Sequence, residues 1–241
     1  MTGPKGFPLS PFLYRLTRHS PLSDEECRII LGWPSLLDRI GANRDFPRPG
    51  EPSDYALLVV DGLVARFCQS GGGARQITAL YLPGEIANLE GITHPDACRL
   101  EALSPTVTRK IPHDAIRSAA RACGALSEAL WRECTIAAAI QAQWLTNLGR
   151  RDAKSRMAHL LAEMDYRVVG KPCAGHFKFP FPATQTHLAD FTGLTSIHVN
   201  RVLQSLRHDG IAHFSHREVH VLDWKRLVAT GGFDATYLAQ P

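Results

Sequence analysis

No apolar run in this chain approaches the roughly 20 residues that a membrane-spanning helix needs, so no such helix is expected. The opening residues, MTGPKGFPLS, lack a basic segment followed by an apolar core, and no secretory signal is expected either. These absences point to a cytoplasmic protein. The six cysteines, at 27, 68, 98, 123, 134 and 173, never form C-x-x-C, and no spacing suits zinc or an iron–sulfur cluster. They read as small apolar residues buried one at a time. Cys123 and Cys134 are eleven apart and would share a face if one helix spanned both; packing is preferred to a redox pair there. H-E-x-x-H, G-x-S-x-G and the Walker loop are all missing, so no enzyme is indicated. The Gly71–Gly73 triplet has no G-x-x-x-x-G-K-[ST] frame and no following helix, and reads as a hairpin turn. His213 and His216 lack further ligands and read as solvent-facing, so neither metal nor cofactor is expected.

What is present is a soluble-type composition, 44% hydrophobic and 21% charged, with an uneven charge distribution. Residues 1–149 hold 15 Lys and Arg against 15 Asp and Glu, while residues 150–241 hold 12 against 8 and so carry the whole net charge of +4. Eight of the 11 histidines also lie in that second part. A neutral half joined to a basic half suits a sensor joined to a nucleic-acid binder.

The order of local signals is equally informative. A short helix is expected over 11–18, then a second opened by the capping box Ser23-Asp24-Glu25-Glu26 and stopped before Pro34. From 36 to 111, short β-rich runs such as Ala56-Leu57-Leu58-Val59-Val60 alternate with Asp61-Gly62, Pro83-Gly84 and Ser104-Pro105, the pattern of an antiparallel roll or sandwich. From Asp114 the pattern turns helical. Leu126, Leu130, Ala137, Ile140, Trp144 and Leu148 make an apolar stripe on a helix of about 125–148. Residues 136–140 are apolar all round, so this helix needs a second surface to pack on, and a two-fold mate supplies one. Gly149-Arg150-Arg151 interrupts it, and Asp152 caps the next helix, which buries Met157, Leu160, Leu161 and Met164.

Two short helices joined at a turn follow over 184–210. Thr184 caps the first, Gly193 breaks it, and Thr195 or Ser196 caps the second. Val199, Val202, Leu203 and Leu206 recur on one face of the second helix, while Ser196, Asn200, Arg201, Gln204 and Arg207 lie on the other. These polar residues suit base edges and phosphates. The spacing alone equally fits an ordinary helical hairpin with a solvated face. Residues 211–214 and 219–222 then read as a β-hairpin wing, and Asp223 caps a last helix.

Taken together, the motifs Leu82-Pro83-Gly84-Glu85, Asn147-Leu148-Gly149-Arg150-Arg151, Gly193-Leu194-Thr195-x-x-His198-Val199-Asn200-Arg201-Val202-Leu203, Leu222-Asp223-Trp224 and Gly232-Phe233-Asp234-x-x-Tyr237-Leu238 resemble those of Crp/Fnr-type bacterial transcription regulators, over nearly the whole chain. The resemblance implies an α+β fold: an N-terminal antiparallel β-roll, a long dimerisation helix and a C-terminal winged helix-turn-helix. It divides the chain into a sensor-like roll with its dimerisation helix (1–148) and a DNA-binding domain (149–241). Double-stranded DNA, a second copy of the chain and RNA polymerase are the implied partners. Docking of two recognition helices in successive major grooves is the geometry described for this family's catabolite activator.

Residue by residue, Arg201 matches the family's base-contacting arginine, and Thr195 a phosphate-contacting cap. Ser196 and Ile197 stand where the activator has Arg-Glu, so its operator sequence does not carry over; Ser196 suits a phosphate or base and Ile197 a thymine methyl. Asn200, Gln204 and Thr184 are further DNA-contact candidates. The effector-pocket candidates are Gly84, Glu85, Asn88, Leu89 and Asp96. Leu89 and its neighbour Asn88 fall where the cyclic-AMP receptor has its ribose-binding Glu and a Gly, and Asp96 falls on its phosphate-binding Arg. A carboxylate repels a cyclic phosphate, so no cyclic-AMP response is expected. Only Cys27 lies in the N-terminal region where the oxygen-sensing branch clusters its cysteines, and no His is marked as a haem ligand. The competing reading is a ligand- or redox-sensing dimeric signalling module whose output is not DNA binding.

Overall fold

The computed structural model describes residues 7–46, 53–93, 99–169 and 177–238. Two N-terminal helices come first, α1 (Ser10–Thr17) and α2 (Asp24–Leu31). Ser23 caps α2 as expected: its hydroxyl accepts from the Glu26 amide while the Glu26 carboxylate accepts from the Ser23 amide at 2.6 Å.

The strands that follow are β1 (Leu36–Ile40), β2 (Arg44–Phe46), β3 (Tyr55–Asp61), β4 (Val64–Gln69), β5 (Arg75–Tyr81), β6 (Ile86–Ala87), β7 (Leu100–Ala102) and β8 (Thr106–Pro112). They form two four-stranded sheets, ordered β1-β8-β3-β6 and β2-β7-β4-β5. The described pairings in both are antiparallel, as in β3 with β8, where Ala56 faces Ile111 and Leu58 faces Arg109. β3 explains its own unbroken apolar run. Ala56 and Leu58 join a core with Leu9, with Phe12 and Leu16 of α1 and with Ile30 of α2. Leu57 and Val59 point the other way, into a core with Val64, Tyr81 and Leu100. A strand buried on both faces needs no polar alternation.

Helix α3 (His113–Ala122) leads to α4 (Gly124–Arg150). Cys123 separates them in an extended conformation, so Cys123 and Cys134 do not share one helix. The expectation of buried cysteines also fails. Cys68 and Cys134 are exposed, and Cys27 and Cys123 are half-buried. Cys68 sits near the β4–β5 turn and Cys134 on the outer side of α4. Cys98, Cys173, Asp96 and the Gly170-Lys171-Pro172 break lie outside the described residues.

α4 spans 27 residues and continues through Gly149, beyond the expected stop, for about 40 Å. It ends where the Asp152 carboxylate accepts from the Ser155 amide at 2.8 Å and starts α5 (Ala153–Val169). Its buried stripe differs from the expected one. Leu126, Ala129, Leu130, Ile136, Ile140 and Trp144 are buried, whereas Ala137 is exposed. Glu133 occupies the inward position between Leu130 and Ile136, with a side chain only 10% exposed.

After α5 come β9 (Phe177–Pro180), α6 (Gln185–Thr192), α7 (Ser196–His208), β10 (Ala212–Ser215), β11 (Glu218–Val221) and α8 (Trp224–Gly231). The three strands form an antiparallel sheet ordered β10-β11-β9. The chain falls into two compact units divided within α4: one comprises residues to Phe67 with Ala79–Ala138, the other Cys68–Thr78 with the residues from Ala139 on. Among the described residues no helix is long and apolar enough to cross a membrane.

Candidate nucleic-acid interface

Caps and breakers set the geometry of α6 and α7. The Thr184 hydroxyl accepts from the His187 amide at 3.1 Å, and His187 Nδ1 accepts from the Thr184 amide at 3.2 Å. Gly193 then takes φ +63°, a left-handed turn that a side chain would strain, and the Thr195 hydroxyl accepts from the His198 amide at 3.3 Å. Thr195, not Ser196, is therefore the cap. Leu188, Ala189 and Phe191 of α6 are buried, as are Val199, Val202, Leu203 and Leu206 of α7.

The opposite side of α7 is open. Ser196, Ile197, Asn200, Arg201 and Gln204 are all exposed. At about 100° per residue they cover an arc of about 140°. Ile197 is 71% exposed, an apolar side chain standing free among donors and acceptors. Thr184 and Thr195 spend an acceptor lone pair on capping but keep the hydroxyl proton for an outside acceptor. The structure thus brings the recognition-helix candidates onto one exposed face.

Several contributors were not legible beforehand. The β10–β11 turn consists of His216 (φ +53°) and Arg217 (φ +61°), both left-handed and both exposed. Two positive φ angles define the turn that joins tightly twisted strands, and Gly or Asn is the usual occupant. Arg156 was also missed. Its guanidinium donates to Leu148 O at 3.0 Å, Arg151 O at 3.1 Å and Thr192 O, so one side chain caps the carbonyl ends of α4 and α6. In the same unit, Gln76 Nε2 donates to Asp190 O at 2.8 Å and Phe191 O at 3.1 Å. His213 stacks on His220 with ring centroids 4.3 Å apart, and among the described residues no group of three ligands could hold a metal.

A buried polar network braces α4 and α5. Glu163 accepts from Trp144 Nε1 at 2.9 Å, Tyr237 Oη at 2.7 Å and Arg167 Nη1 at 3.1 Å. His159 lies 3.2 Å from Tyr237 Oη, and Arg151 donates to Gly232 O at 2.8 Å and to Asn147. Gly231 allows α8 to approach: a Cβ there would meet the His159 amide nitrogen at 2.5 Å.

Two buried groups in α5 titrate in opposite directions. Burial, then the Arg151 charge, holds His159 down at about 4. An unfolded His takes up its proton near 6.5, so His159 removes stability as pH falls from about 6.5 to about 4. Burial pushes Asp165 up to about 7, and both its oxygens lack partners among the described residues. The unfolded carboxyl ionises near 3.8, so Asp165 removes stability as pH rises from about 4 to about 7. Asp165→Asn is therefore expected to stabilise the protein increasingly over that range and to uncover the His159 slope. Urea unfolding at several pH values measures it; a constant offset from wild type would contradict the assignment.

The effector-pocket candidates are placed differently from a vacant pocket. Gly84 (φ +92°) forms the turn and lies against Pro11. Glu85 is buried; its Oε2 accepts from the Leu82 amide at 3.0 Å and its Oε1 from Arg15 at 3.0 Å. Asn88 is buried at φ +61°, and its amide donates to Ser53 Oγ and Tyr55 O, both at 3.1 Å. Leu89 is half-buried and packs on the α1 core.

Residues 155–230 match the Crp-like helix-turn-helix domain family. FixK2 from Bradyrhizobium japonicum shares the fold at a TM-score of 0.74 and 27% identity, covering 84% of this chain and 100% of that one. The transcriptional activator FnrL of Cereibacter sphaeroides is 28% identical over 193 residues, 77% of this chain and 76% of that protein. The chain carries a Crp-like helix-turn-helix domain and is similar over most of its length to Crp/Fnr transcription regulators. The nitrogen fixation regulation protein FixK of Azorhizobium caulinodans is a further relative, 28% identical over 183 residues, 75% of this chain and 71% of that one. As a regulator of this type the chain is a DNA-binding protein, and the α+β fold expected from its sequence is the one observed. Regulators of this family act as dimers.

Proposed function

We propose that this Crp/Fnr regulator works as a homodimer that reads inverted-repeat operators, with residues 1–148 as the roll and dimerisation segment and residues 149–241 as the reader. The observation that carries the reading is the exposed arc of α7, with Arg201 at one edge, Ile197 near its middle and Ser196 at the other edge. Arg201 meets a guanine edge, Ile197 a thymine methyl, and Asn200 and Gln204 adjacent bases. Ser196, Thr184 and Thr195 hold phosphates. Arg217 adds a phosphate contact from the wing: a left-handed Arg costs about 1 kcal/mol or more that a Gly would not, and a side chain retained at that cost has a use. Dimerisation through α4 is supported by its outer side. Trp131 is 77% exposed and Leu145 72%, with Cys134, Ala138 and Ala142 exposed beside them. Apolar residues at spacings of three and four on an uncovered helix fit a two-fold mate.

The output is control of RNA polymerase, in keeping with relatives named transcriptional activators. Cyclic AMP is not the signal. Glu85 and Asn88 are already engaged by the protein's own groups. Calorimetric titration with cyclic AMP should show no saturable heat; binding with a dissociation constant of about micromolar would overturn this. Selection of bound duplexes from a random pool, with and without cell extract, tests the whole reading. Recovery of an inverted repeat with half-sites about 10–10.5 base pairs apart, or a multiple of that, is expected.

A further inference from the structure

The buried face of α4 contains a charge. Leu126, Ala129, Leu130, Ile136 and Ile140 are apolar, yet Glu133 sits among them with a nearly buried side chain. Its Oε2 accepts from Arg15 Nε of α1 at 2.7 Å, and its Oε1 is buried without a partner among the described residues. The same guanidinium reaches Glu85 with Nη1 at 3.0 Å. One Arg thus joins α1, the Pro83-Gly84-Glu85 turn of the roll and α4. A Cβ at Gly84 would meet the Pro11 carbonyl oxygen at 3.2 Å, so the turn also passes close to α1.

A leucine at 133 would fit the apolar stripe better. Buried ion pairs seldom out-stabilise apolar groups of similar volume, and fixing a unique arrangement is their best-attested use. Glu133 lies about 200° round the helix from Trp131, on the side opposite the exposed stripe. Whatever fixes the rotation of α4 at Glu133 also fixes the direction in which Trp131, Cys134 and Ala138 face.

We propose that Arg15 is a positioning residue: by bridging Glu85 and Glu133 it sets the rotation of α4, and so presents the dimer seam in its DNA-binding arrangement without a small ligand. The proposal rests on the dimeric operator-reading function above. The planar fork matters, because Lys is a point charge and does not hold two carboxylates in fixed directions.

Glu133→Leu separates positioning from stability. Arg15 keeps Glu85 as partner and is 20% exposed, so the unfolding midpoint should stay near that of wild type, while affinity for the selected duplex falls about tenfold or more. Arg15→Lys should lose operator affinity similarly, and the Arg15→Lys/Glu133→Leu double variant should lose no more than either alone, the non-additivity expected of one shared interaction. Sedimentation should show the variants' dimers weakened or differently spaced. Wild-type operator affinity in Glu133→Leu, or additive losses in the double variant, would overturn the proposal. A wild-type chain that selects no duplex would instead overturn the operator-reading function itself, and this proposal with it.

Discussion

Glu163→Ala should cost the folded state about 3–5 kcal/mol, the range for breaking a buried charged pair from one side. Glu163 is fully buried, and Arg167 beside it is only 5% exposed. Burial pushes the Glu163 carboxyl up, while Arg167, Tyr237 and Trp144 pull it back. Removing the carboxylate takes away the fully buried acceptor that one cation and two neutral donors share. A domain of ordinary stability has about 5–15 kcal/mol in total, so the variant is expected to be partly unfolded at physiological temperature. Glu163→Gln keeps the shape but not the charge and should fall between. Tyr237→Phe removes one donor of three and should cost about 1 kcal/mol. Urea unfolding followed by tryptophan fluorescence measures all three. A loss below about 1 kcal/mol for Glu163→Ala would mean that water or a rearranged side chain replaces the carboxylate.

The same network shows where sequence reasoning stopped. Thr184, Gly193, Thr195, Asp152 and Asp223 were legible because a cap or a break depends on residues within one turn. The strand runs were legible for a similar reason, since Gly and Pro punctuate locally. Which strands pair was not: β1 joins β8 across most of the roll, and nothing in either strand names its partner. Glu133 does not announce itself as a core residue, because a charge breaks the apolar pattern that Ala137 continues. Its partner Arg15 is 118 residues away. Likewise Tyr237 was visible only as part of a family motif, and its hydrogen bond to Glu163 spans 74 residues. The exposed arc of α7 was readable in full, because helical periodicity sorts faces without reference to the rest of the fold. The left-handed His216-Arg217 turn was not, because the residues that usually announce such a turn are missing.

Arg201→Ala should leave folding untouched and weaken operator binding more than any other single change on α7. The side chain is exposed, and among the described residues no hydrogen bond or ion pair holds it. Its five donors are therefore free for a ligand, and a guanidinium fork matches the O6 and N7 acceptors of guanine in two parallel bonds. Each such contact is worth about 1–3 kcal/mol of discrimination. A two-fold dimer makes it twice, at half-sites far enough apart for the losses to add. The expected total is about 2–6 kcal/mol, roughly thirtyfold to twenty-thousandfold in affinity, with one guanine position relaxed in each half-site. Arg201→Lys keeps the charge but not the fork, so it should relax the same position with a smaller loss of affinity. Arg217→Ala at the wing should behave differently, weakening all duplexes about equally and lowering the salt dependence, as loss of a phosphate contact does. Titration of the selected operator and of single-base variants at two salt concentrations separates the three. Unchanged affinity and specificity in Arg201→Ala would remove the residue from the base-reading set and shift the burden of recognition to Ser196, Ile197, Asn200 and Gln204.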